Sequence, residues 1–101
     1  MLNPDKSYIM HQTIENLSIK NEEFIRNNIQ NNSIIDCFFE KINLNRSSLV
    51  NLRIKGTEFV NCIFQNVDLS FCKFTDCKFL NCDFSLAEIE NTFFFKCDFN
   101  R

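Results

Sequence analysis

The sequence predicts an all-β chain wound as a parallel solenoid, and three observations carry that reading. An apolar residue recurs at every fifth position without a break, all six cysteines share one offset from it, and the 101 residues include a single glycine and a single proline. At this length and 12.0 kDa the chain is one compact unit. A hydrophobic content of 45% with 24% charge is that of a chain that buries a core and is not disordered. Ordinary hairpins draw on Gly and Pro at their turns, so a chain this poor in both must build its turns differently.

From Ile9 to Phe99 every fifth residue is Ile, Leu or Phe, nineteen in nineteen positions. A period of five matches neither the 3.6 of a helix nor the 2 of a flat strand, so each unit must bend. Two residues before each centre lies a second selected position, and from Cys37 onward it reads Cys37, Ile42, Ser47, Leu52, Thr57, Cys62, Val67, Cys72, Cys77, Cys82, Ala87, Thr92 and Cys97. Residues two apart on an extended segment face the same way, so this position and the centre both point inward while the two residues flanking the centre point out. The fifth residue is then a corner. Asn16, Asn21, Asn31, Asn51, Asn61, Asn66, Asn81 and Asn91 occupy it, with Asp36, Gly56 and Asp76, all types that tolerate tight turns. Corners that bend the same way wind the chain into a coil that stacks on itself and buries both inward positions along one axis.

The pattern resembles the pentapeptide-repeat family, whose unit is a small residue such as Ala or Cys, any residue, a central Leu or Phe, and two more. The resemblance spans about Ser7 to Arg101 and is most typical from Cys62-Ile63-Phe64-Gln65-Asn66 through Cys82-Asp83-Phe84-Ser85-Leu86. It implies a right-handed quadrilateral parallel β-helix with four pentapeptides per coil, hence about five coils, with residues 1-6 as a non-repeat lead-in and 7-101 as the solenoid. Columns then recur every twenty residues. One wall holds Ile14, Ile34, Ile54, Phe74 and Phe94; a second holds Ile19, Phe39, Phe59, Phe79 and Phe99; a third holds Phe24, Leu44, Phe64 and Phe84; and a fourth holds Ile9, Ile29, Leu49, Leu69 and Ile89.

Both ends are less regular. Gln12, Glu22, Asn27 and Asn32 fill the small inward position near the N-terminus, so the first one or two coils are expected to be irregular, and a buried Glu22 without a partner would be expensive. The sequence stops inside the repeat at Cys97-Asp98-Phe99-Asn100-Arg101. An open last coil offers strand edges and an apolar cross-section, which implies either pairing with a second copy or a continuation of the chain.

Little in the sequence points to catalysis. Cys72, Cys77 and Cys82 are five apart with no Cys-x-x-Cys pair and no His ligands, which disfavours zinc and makes small buried filler the reading for the thiols. Cys62 and Cys82 stack on one wall, Cys77 and Cys97 on another. A filled narrow coil leaves no cleft for a nucleophile and base, the one histidine, His11, sits at a corner of the first coil, and Gly56 alone makes no phosphate loop. The expectation is a protein without catalytic residues, cofactor or metal.

Function is therefore expected on the outward positions. Phe93 and Phe95 flank the core residue Phe94 on the last coil and are assigned to an interface, here an end-to-end homodimer through the C-terminal coil, and Val60 and Leu80 form a second apolar pair. Arg53, Lys55 and Lys73 project from one wall and Asp68, Glu88 and Glu90 from its neighbour. With 11 Lys+Arg against 13 Asp+Glu there is no basic footprint over the whole chain, so no direct nucleic-acid contact is expected. No run of eighteen apolar residues and no signal peptide is present, which gives a cytoplasmic protein without a membrane association as the default. The family resemblance implies two roles. One is a rigid protein-binding or structural module. The other is protection of a type II topoisomerase, gyrase or topoisomerase IV, from quinolones or toxins by imitating duplex DNA. Duplex DNA of the expected 23 Å length, about five coils at ~4.8 Å, would carry about thirteen negative charges. The net charge here is −2, and only the wall of Asp68, Glu88 and Glu90 could imitate a short stretch.

Overall fold

The computed structural model of the chain describes residues 12–25 and 27–100. Ile9, His11 and the expected lead-in fall outside them. Ten strands of three residues each follow one another: β1 (Thr13–Glu15), β2 (Ser18–Lys20), β3 (Ser33–Ile35), β4 (Phe38–Glu40), β5 (Arg53–Lys55), β6 (Glu58–Val60), β7 (Lys73–Thr75), β8 (Lys78–Leu80), β9 (Phe93–Phe95) and β10 (Asp98–Asn100). They form two five-stranded parallel sheets, β1-β3-β5-β7-β9 and β2-β4-β6-β8-β10. The register is twenty residues throughout, with Ile14 opposite Ile34 and Phe79 opposite Phe99, and it already holds on the first described coil.

These sheets are the first and second walls. The third and fourth are narrower ladders of single parallel bridges, Glu23 to Asn43 to Ile63 to Asp83 and Asn28 to Ser48 to Asp68 to Glu88. Four walls with a constant offset of twenty make the solenoid expected from the sequence. The coil count differs: the described residues make about four turns and not about five, because the count of nineteen centres included Ile9 and the last turn is partial.

Each turn is built at its corner. Fifteen non-glycine residues together with Gly56 have φ between 53° and 62°, one at every fifth position from Asn16 to Lys96 apart from the undescribed residue 26. This left-handed region costs an L-residue roughly 1–2 kcal/mol unless its side chain is short and polar enough to bond locally, which explains the run of Asn and Asp. Stacked corner amides also join one another: Asn51 Nδ2 donates to Asn31 Oδ1 at 2.7 Å and Asn81 Nδ2 to Asn61 Oδ1 at 2.6 Å.

The core is the shaft. Phe59 stacks between Phe39 and Phe79 with centroids 5.3 and 5.0 Å apart, and Phe79 continues onto Phe99 at 4.7 Å. Phe74 meets Phe79 edge-on at 5.4 Å and 68° across the shaft, so offset stacks along the axis are locked by perpendicular contacts between walls. The axial void among these side chains is about 30 Å³ with an apolar lining, roughly the volume of one water.

Candidate functional site

The inward small position does more than fill space. Side chains there donate to the carbonyl of the residue 23 back, one coil down: Cys37 to Ile14 (3.5 Å), Ser47 to Phe24 (2.6 Å), Cys62 to Phe39 (3.4 Å), Cys72 to Leu49 (2.8 Å), Cys77 to Ile54 (3.5 Å), Cys82 to Phe59 (3.4 Å), Thr92 to Leu69 (2.7 Å) and Cys97 to Phe74 (3.5 Å). Several also accept an N–H from the same column one coil down, as Ser47 does from Asn27, Thr57 from Cys37 and Cys72 from Leu52. Cys, Ser and Thr thus relay hydrogen bonds between coils, and sequence reasoning, which took the thiols for filler, missed this. The polar N-terminal residues join the same scheme, since the Gln12 N–H donates to Asn32 Oδ1 at 2.8 Å.

All six thiols are free. Burial pushes Cys72 and Cys77 up to about 12. The stacked pair Cys62 and Cys82 shares a hydrogen bond, which together with burial pushes Cys62 up and leaves Cys82 as the first of the two to ionise. Thiols held protonated in this way are poor nucleophiles at neutral pH. Among the described residues, no group of three or more His, Cys, Asp or Glu side chains is placed to hold a metal ion. Among the same residues, no helix is long and apolar enough to cross a membrane.

What remains is the outer surface. Phe93 and Phe95 occupy the first and third positions of β9 and are 64% and 56% exposed, pointing sideways from the first wall. The open axial end is formed by different residues, the inward centres Ile89 and Phe99, 57% and 51% exposed. Val60 and Leu80 are register partners on β6 and β8 of the second wall, the former half-buried and the latter exposed. The four residues expected at an interface therefore lie on two walls and do not form one patch. Asp68 and Glu88 are bridge partners on the fourth wall with Glu90 beyond them, but one Asp68 carboxylate oxygen is taken by the Ser70 N–H at 3.0 Å. Asp68 is half-buried, whereas Glu88 and Glu90, on the two flanks of Ile89, are exposed.

The first wall carries the most developed surface feature. Arg53 and Lys73 are register partners on β5 and β7, Lys73 is followed by Phe93 in the same row, and Lys55 lies between Ile35 and Thr75 in the parallel row two residues away. These side chains, with Asn51, the corner residue Phe71 and Thr75, line an open groove of about 510 Å³. Phe71, 56% exposed, occupies a corner, and its part in this groove becomes visible only when corners twenty residues apart are stacked.

Residues 62–101 match the family model described as pentapeptide repeats, in eight copies. No curated protein matches the sequence. Among solved structures, the chain is similar to the pentapeptide repeat protein Rfr23 from the cyanobacterium Cyanothece 51142, with a TM-score of 0.51, 12% identity and 89% of each chain covered. It is also similar to QnrB1, a plasmid-mediated fluoroquinolone resistance protein, with a TM-score of 0.50, 21% identity and 84% of this chain covered. The chain spans 49% of the length of QnrB1. At these identities the likeness concerns the fold.

Proposed function

From the premise that the chain is a pentapeptide-repeat solenoid, we propose that it acts as a rigid, non-catalytic protein-binding module that associates with a second copy of itself through its last described coil. The observation that carries the reading is the apolar pair on β9: Phe93 and Phe95 are 64% and 56% exposed, whereas their register partners one coil down are the polar Lys73 and Thr75.

Size-exclusion chromatography with light scattering tests this. The wild type is expected to run as a dimer of the 12.0 kDa chain, and Phe93→Ser/Phe95→Ser as a monomer. Monomeric wild-type protein at tens of micromolar would refute the reading.

A second role, binding to a type II topoisomerase, draws on the projecting Glu88 and Glu90 and on the shared fold of QnrB1. Purified protein added to a gyrase supercoiling assay, with and without a quinolone, tests it; no effect at micromolar concentration rejects it.

A further inference from the structure

We propose that the groove on the first wall binds short single-stranded nucleic acid, with phosphates on Arg53, Lys55 and Lys73 and a base stacked on Phe71. A net charge of −2 hides this face because Arg53, Lys55 and Lys73 gather on neighbouring positions of the first wall while most of the carboxylates are spread over the others. Among the described residues the ion pair formed is Lys20 with Glu40, so the three groove cations carry no carboxylate partner. Asp36 and Asp76 sit at the corner beside Lys55, where the Asp36 N–H donates to the Lys55 carbonyl at 2.9 Å, but do not line the groove, and Glu15 lies two coils from Lys55. Phe95 is covered by the Lys96 ammonium at 5.4 Å, whereas Phe71, 56% exposed, has neither an aromatic nor a cationic partner among the described residues.

The arrangement selects among anionic partners. The first wall is a continuous ladder in which β5 and β7 each pair on both sides, so a peptide cannot add to it as a strand along the groove. Recognition must come from side chains alone, and those available are the three cations, the Phe71 ring and the polar groups of Ser33, Asn51 and Thr75. A flexible polyanion that carries an aromatic ring on every repeat meets the cations and the ring together, which is how sequence-tolerant single-strand binders work. Duplex DNA fits less well, because its bases are stacked inside and unavailable to Phe71.

Fluorescence anisotropy with fluorescein-labelled dT12 in 50 mM salt is the direct test, using the whole chain. Binding in the micromolar range is expected. The salt dependence should have a log–log slope of about −2, from three phosphates at ~0.7 each. Arg53→Gln/Lys73→Gln should reduce that slope to about −0.7. Phe71→Ser should weaken binding about fivefold or more and leave the slope unchanged. Phe71 and Lys73 lie one coil below the end surface, so these variants should keep the wild-type mass, which separates failure of this proposal from failure of the self-association. Unchanged melting temperatures establish that the variants fold. No binding at 100 µM protein, equal affinity for poly-glutamate, or an affinity indifferent to Phe71→Ser overturns the proposal.

Discussion

Cys72 is the sharpest place to test the inter-coil relay. Its thiol is fully buried, donates to the Leu49 carbonyl at 2.8 Å and accepts the Leu52 N–H at 3.4 Å. Elsewhere on the third and fourth walls the turn closes itself, with Ser47 N–H on the Leu44 carbonyl and Val67 N–H on the Phe64 carbonyl, which is why Val67 and Ala87 can be apolar. Between Leu49 and Leu52 the sulfur is inserted instead. Cys72→Ala removes an atom roughly the size of a methylene, about 0.8 kcal/mol of burial plus a cavity contribution. It also strands a buried donor and acceptor, at about 1–3 kcal/mol if the turn does not close. The expected loss is about 2–4 kcal/mol. Cys72→Ser keeps both bonds, as Ser47 does in its own column, and is expected to cost less than about 1.5 kcal/mol. Urea unfolding at fixed m-value measures both. Equal losses for Ala and Ser would refute the relay and return the thiol to simple filler.

Two further outcomes follow from the same geometry. Leu86 holds a left-handed corner at φ 59° while 80% exposed, so Leu86→Asn should stabilise the fold by roughly 0.5–1 kcal/mol; a lower melting temperature would contradict the corner argument. Cys72 and Cys77 have folded-state pKa values raised from 9.0 to about 12, so the folded state holds their protons more tightly. Their contribution is complete below about pH 9 and is lost as pH rises toward 12, which amounts to about 2 kcal/mol for each thiol by pH 10.5. Comparison of urea midpoints at pH 8 and 10.5 should show this loss, and Cys72→Ser/Cys77→Ser should shrink it; an undiminished loss would assign the pH effect to other groups.

The walls and corners were legible in the sequence because each is a strict local demand repeated at every unit. A centre must be apolar to fill the shaft, and a corner must accept positive φ, so Phe79 and Asn81 declare their roles without a structure. The hydrogen-bonding role of the thiols was not legible, because Cys72 donates to a residue 23 positions away and a buried cysteine reads the same whether or not it donates. The groove was hidden for a related reason. Phe71, Lys73, Phe93 and Arg53 are separated by up to forty residues and become neighbours only through a register of twenty. The described residues make about four turns and not the expected five because periodicity counts Ile9, which lies outside them, as readily as Ile14.

This division has a consequence for how such a chain can change. Inward positions and corners are committed to the shaft and its turns, whereas the two flanking positions of each unit face outward and take their register partners from the coils above and below. Lys73 sits between Arg53 and Phe93 on exposed positions of the first wall, and its replacement by Gln should alter stability by no more than about 0.5 kcal/mol. The same substitution removes one of the three charges that define the groove. Binding chemistry on this scaffold is therefore written in residues twenty apart, and can be rewritten there one wall at a time while the core stays as it is.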